Sequence, residues 1–70
     1  IEYDAAIEYA FEAMENETDP VWLSAINFEL GHAYQNIVEY EKACEVLQKV
    51  MEEPFLSRAE KKMSTIPGCN

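Results

Sequence analysis

Apolar residues recur along the first part of this chain at three- and four-residue intervals. Tyr3, Ile7, Ala10, Phe11 and Met14 share one face and acids fill much of the rest, so residues 1–16 are predicted to form an amphipathic helix. The segment Asn16-Glu17-Thr18-Asp19-Pro20 interrupts that pattern. Asp19 suits a helix N-cap and Pro20 suits the first helical position, so a second helix is predicted over residues 20–36. Its apolar residues (Trp22, Ala25, Ile26, Phe28, Leu30, Ala33, Tyr34) cover more than one stripe, as expected of a helix packed on two sides. Asn36 is placed to close it in a left-handed conformation.

A third helix is predicted over residues 39–52, with Tyr40, Ala43, Cys44, Val46, Leu47, Val50 and Met51 apolar. Pro54 ends it or opens the next element. Ser57-x-x-Glu60 fits a capping box, which predicts a short fourth helix over residues 55–65. Pro67-Gly68 stops that helix and leaves residues 66–70 as a loose tail. No alternation of period two runs long enough to argue for a sheet. The fold class expected is therefore all-α, about four helices arranged as antiparallel hairpins.

The helices repeat. Shifted by 37 residues, Tyr3 falls on Tyr40, Ala6 on Ala43, Ala10 on Leu47 and Ala13 on Val50. Helices one and three thus read as the same element of successive units. Residues 1–16 become the second helix of a preceding unit, residues 20–53 one complete hairpin, and residues 55–65 the first or capping helix of a following unit. A single hairpin cannot bury both faces, so such units stack into an α-solenoid with a shared core.

Leu30-Gly31-x-x-Tyr34 followed by Tyr40-x-x-Ala43-x-x-x-Leu47 resembles the tetratricopeptide repeat. In that family's pattern Gly31 and Ala43 let the paired helices approach, Tyr40 and Leu47 fill the space between them, and Val50 holds the place of a second Ala. The chain departs from the pattern at several points. Asn27 occupies the place of a Trp, with Trp22 five residues earlier; Val38 replaces a small turn residue; Pro54 falls one position early; and the period is 37 rather than 34 residues. A related helical-hairpin repeat is the alternative.

Composition narrows the function. Seventy residues allow one small domain, of marginal stability if isolated. The chain opens on Ile1 rather than Met, as expected of a fragment or trimmed product. An apolar content of 49% argues against disorder. No apolar run nears the roughly 18 residues of a membrane span, and no segment reads as a signal peptide. The net charge is −9 and unevenly spread. Residues 1–41 hold ten acids and no base, whereas residues 42–70 hold four acids and five bases. Such an acidic half repels nucleic acid and anionic lipid; it favours a basic protein partner or serves as a solvated face. Cys44 and Cys69 make no disulfide framework, so a reducing, cytoplasmic setting is expected. Asn16-Glu17-Thr18 matches a glycosylation acceptor, which would instead mean secretion; such triplets are frequent by chance.

Candidate chemistry is sparse. His32, the only histidine, has Glu29 and Asn36 at helical spacing, which suits a hydrogen-bonded surface residue better than a metal or acid–base site. Asp4, Glu8 and Glu12 repeat at four-residue spacing as a solvated stripe, and Cys44 lacks a histidine within helical reach. With Gly31 and Gly68 the only glycines, there is no phosphate-cradling loop. No catalytic residue, cofactor or metal is expected.

The resemblance implies a binding surface instead. In the tetratricopeptide family the first helix of each unit lines a concave groove, which places Ala25, Phe28, Glu29, His32, Gln35 and Asn36 there, joined by Arg58 and Lys62 of the fourth helix. Glu29 argues against a clamp for a peptide's terminal carboxylates. The function expected is a scaffold or adaptor segment that holds a basic or amphipathic partner helix or peptide. The alternatives are a self-associating structural segment and a regulatory appendage of a larger enzyme.

Overall fold

The computed structural model describes residues 2–69; what the sequence predicts for Ile1 and Asn70 lies outside the described residues. It holds four helices: α1 (Tyr3–Met14), α2 (Pro20–Asn36), α3 (Tyr40–Leu47) and α4 (Phe55–Met63). No strand occurs among the described residues. Helix α2 packs against all three others, which explains why its apolar residues are not confined to one stripe.

The start of α2 forms as its sequence dictates. The Asp19 carboxylate accepts the Val21 N–H at 2.9 Å, and Pro20 occupies the first turn. Its C-terminal end differs from expectation. Asn36 is still helical, and the left-handed residue is Val38, at φ 65°. Glu39 N–H donates to the Tyr34 carbonyl at 2.9 Å and Val38 N–H to the Gln35 carbonyl at 3.1 Å. That pair of bonds is a Schellman closure, which needs its left-handed residue two positions beyond Asn36. The short link 37–39 then returns α3 alongside α2 as a helical hairpin.

The core lies in this hairpin. Leu30, Tyr34, Ala43, Val46, Leu47 and Val50 are buried together. Gly31 and Ala43 face inward: Gly31 is buried, Ala43 is 0% exposed, and a Cβ on Gly31 would fall inside the Leu47 side chain. Tyr40 does not fill the inter-helix space; it stands at the surface at the first turn of α3, and Leu47 does the filling. Asn27, at the position of the family's Trp, is buried, as is Ser24 one turn earlier.

Helix α3 is shorter than predicted. The Ser24 hydroxyl oxygen accepts the N–H groups of Met51 and Glu52 at 3.1 and 3.0 Å. Past Leu47 the chain tightens before it reaches Ser24: the Lys49 and Val50 N–H groups donate to the Val46 and Leu47 carbonyls, three residues back, and Ser24 then anchors the link that follows. Helix α4 also starts differently. Ser57 lies within the helix rather than capping it; its N–H and hydroxyl donate to the Glu53 carboxylate at 3.0 and 2.7 Å. Beyond Met63, the Ser64 and Thr65 hydroxyls turn back onto the Lys61 and Lys62 carbonyls. The segment that follows is packed rather than loose. Ile66 and Cys69 are buried, and Cys69 is disulfide-bonded to Cys44 of α3. Among the described residues no helix is long and apolar enough to cross a membrane.

Candidate functional site

The eight residues predicted to line one groove fall on two sides of α2. Ala25, Glu29 and His32 face α1, where they border two adjoining depressions of about 280 and 300 Å³. Phe28, Gln35, Arg58 and Lys62 meet on the opposite side, between α2 and α4. Asn36, in the last turn of α2, donates to the His32 carbonyl at 2.8 Å and lies 3.4 Å from the His32 ring. The exposed, hydrogen-bonded histidine expected from the spacing is thus present, and Asn36 is committed to it.

The α1 side is a furrow with apolar walls. Helix α1 contributes Ala6, Tyr9, Ala10 and Ala13; helix α2 contributes Trp22, Ala25 and Ile26. Glu29 supplies the one charged side chain of that lining. Tyr9 and Trp22 stand at 77% and 61% exposure, so two large aromatic rings remain open to solvent here. Ala6, Ala10 and Glu29 continue into the second depression, beside Tyr3 and His32. These α1 residues have a counterpart inside the same chain. Thirty-seven positions on stand Ala43 and Leu47 of α3 and Val50 just beyond it, and they are at most 2% exposed in the core beside α2.

The α4 side has the opposite character. The Phe28 and Phe55 rings pack at a centroid distance of 6.1 Å. Lys62 Nζ lies 5.9 Å from the Phe28 centroid and the Arg58 guanidinium 5.9 Å from that of Phe55. Lys62 also donates to Gln35 Oε1 at 3.2 Å, and Gln35 Nε2 donates to Thr65 at 3.3 Å. Phe28 is half-buried, and its partners are internal. This surface joins α2 to α4 as well as offering cations to solvent.

Sequence reasoning placed only α2 and α4 residues in the groove, and the α1 wall was missed. The signal was available in the repeat itself: Ala6, Ala10 and Ala13 align with buried Ala43, Leu47 and Val50, yet Ala6 and Ala13 are exposed and Ala10 is half-buried. Among the described residues, no three His, Cys, Asp or Glu side chains converge as metal ligands. The Glu53 carboxyl is held below the usual glutamate value by its bonds from the Ser57 hydroxyl and N–H. It belongs to the start of α4 and lies in neither depression.

The chain matches no protein-family model, no curated protein and no solved structure.

Proposed function

We propose that this chain is a protein–protein interaction module, a segment of a tetratricopeptide-like helical array that receives a basic amphipathic helix along the α1–α2 furrow. The carrying observation is that furrow: apolar walls, two exposed aromatic rings and a single carboxylate at Glu29. A helical occupant is supported by the repeat, since the equivalent residues Ala43 and Leu47 of α3 are buried where α2 packs on that helix. The charge identifies it as basic, since residues 1–41 carry ten acids and no base. Apolar contact then supplies affinity, while the acidic field supplies encounter rate and selectivity.

This reading assigns the chain a scaffold or adaptor role and no catalytic step. It moves the partner from the α2–α4 cradle to the α1 side, away from Arg58 and Lys62. The Cys44–Cys69 bond favours an oxidising compartment over the cytoplasm expected from an isolated cysteine pair. Self-association is the second reading, favoured by one observation: three of the five bases (Arg58, Lys61, Lys62) sit on α4, far along the chain from the acidic half. Contact between unlike ends of two copies is heterologous and open-ended.

Trp22 is the only tryptophan and reports on the furrow directly. A helical peptide patterned with leucine and lysine is expected to shift its fluorescence to the blue with saturable, salt-weakened, one-to-one binding. The same peptide with glutamate for lysine is expected to leave it unchanged. Ala25→Arg, which drives a long cation into the furrow, should weaken binding about tenfold or more while far-ultraviolet circular dichroism holds. Equal binding of both peptides, or full affinity in Ala25→Arg, overturns the assignment. Sedimentation of the chain alone over a concentration series distinguishes self-association.

A further inference from the structure

Residues 64–69 fold back across α3 in a manner the repeat explains. Ile66 N–H donates to the Met63 carbonyl and Cys69 N–H to the Ile66 carbonyl, which coils the segment into two tight turns. Gly68 adopts φ 78°, a conformation open to glycine, and swings Cys69 inward. Ile66 and Cys69 join the hydrophobic core, and Cys69 bonds Cys44. Cys44 lies 37 positions after Ile7. On α1, Ile7 packs into the core built by the helices that follow it. On α3, the equivalent position is met by this short segment instead of a helix.

We infer that residues 64–69 are a disulfide-latched clasp: they close the edge of α3 that a further repeat would otherwise cover, and a dithiol reductant opens them. The bond is reachable from one side. A depression of about 350 Å³ opens beside Cys44, lined by Tyr40, Gln48 and Pro67 among others, whereas Cys69 is 5% exposed. An incoming thiolate attacks Cys44 Sγ, and the sulfur–sulfur bond breaks. Cys69 leaves as a thiolate and takes a proton from water. The reductant's second thiol, deprotonated, then attacks its own sulfur in the mixed disulfide. Cys44 leaves as a thiolate, next to the Gln48 amide that donates to its sulfur at 3.4 Å, and is protonated in turn. The protein disulfide is reduced by two electrons and the dithiol is oxidised to a cyclic disulfide. Once the cross-link is gone, only the burial of Ile66 and Cys69 and the Gln35–Thr65 hydrogen bond tether the segment, and its local concentration at α3 falls.

Amide hydrogen exchange of the whole chain, with and without dithiothreitol, tests the clasp. Exchange at Ile66 and Cys69 is expected to rise about tenfold or more on reduction, while Leu30 and Ala33 in α2 stay within about twofold. Trypsin cleavage after Lys62 is expected to accelerate alongside. Cys69→Ser should reproduce both effects without reductant, and Ile66→Asp with dithiothreitol should increase them further. Unchanged exchange at Ile66 and Cys69 after verified reduction means that burial alone holds the segment, and overturns the inference. Exchange at Leu30 rising in step with Ile66 means that the bond staples the whole fold, and overturns it equally.

Discussion

Gly31 and Leu47 occupy one shared space: Leu47 is 0% exposed, and any Cβ at position 31 would lie within its side chain. The α2–α3 hairpin closes only because one partner has no side chain. Gly31→Ala is expected to destabilise by about 1–3 kcal/mol through overpacking, and Leu47→Ala by about 2–5 kcal/mol through cavity formation. The double variant should cost less than the two added together, because the space vacated by Leu47 receives the new methyl. Urea denaturation of the four proteins measures this coupling, expected at about 1 kcal/mol or more. Strict additivity would show that the two residues do not share the space.

Val38 bears a strain that nothing nearby offsets. It is β-branched, held at φ 65°, and 66% exposed, so little packing rewards it. The Schellman closure needs the backbone conformation and not the side chain. Val38→Gly is therefore expected to stabilise the chain by about 1 kcal/mol, net of the entropy that glycine adds to the unfolded state. Thermal denaturation gives the sign directly, and a lower midpoint would contradict it.

These two positions show what the sequence made legible. Gly31, Ala43 and Leu47 recorded the hairpin because close approach restricts residue type to one or two choices. Asp19-Pro20 recorded the start of α2 for the same reason. The path of the chain after Leu47 was not readable: a serine on α2 holds the Met51 and Glu52 N–H groups, and local propensity says nothing of that. The pairing of Cys44 with Cys69 was hidden for a similar reason, since only the fold brings α3 and residues 64–69 together. The candidate groove was half legible. Spacing alone put Ala25 and Phe28 on one helix, but which neighbour each would meet depended on where α1 and α4 settled.

Ser24 holds the link between α3 and α4 against α2 through two backbone N–H groups. Ser24→Ala keeps the volume nearly constant and removes the acceptor, leaving the Met51 and Glu52 donors without it. A loss of about 1–3 kcal/mol is expected. Exchange at the Met51 and Glu52 amides should rise by more than global destabilisation accounts for, because the link loosens first. Exchange at Met51 and Glu52 that rises only in step with the global destabilisation would show that Ser24 does not hold the link locally.

Glu53 gives the start of α4 a dependence on acid. Its carboxylate accepts the Ser57 hydroxyl and N–H, and these bonds, the hydroxyl first, hold its pKa below the ordinary value of 4.5. Because the folded pKa lies below the unfolded one, the stabilisation is fully present above the unfolded value and is lost as pH falls through the folded one. At neutral pH the ionised carboxylate also favours the helix N-terminus that it adjoins. Titration followed by NMR should show the Ser57 amide shifting in step with the Glu53 carboxyl, below the ordinary glutamate value of 4.5. Glu53→Gln keeps an oxygen acceptor but removes the charge, so the Ser57 amide should then show no transition attributable to position 53. Persistence of the full transition in Glu53→Gln would assign the acid response to another carboxylate, with Glu52 the first to examine.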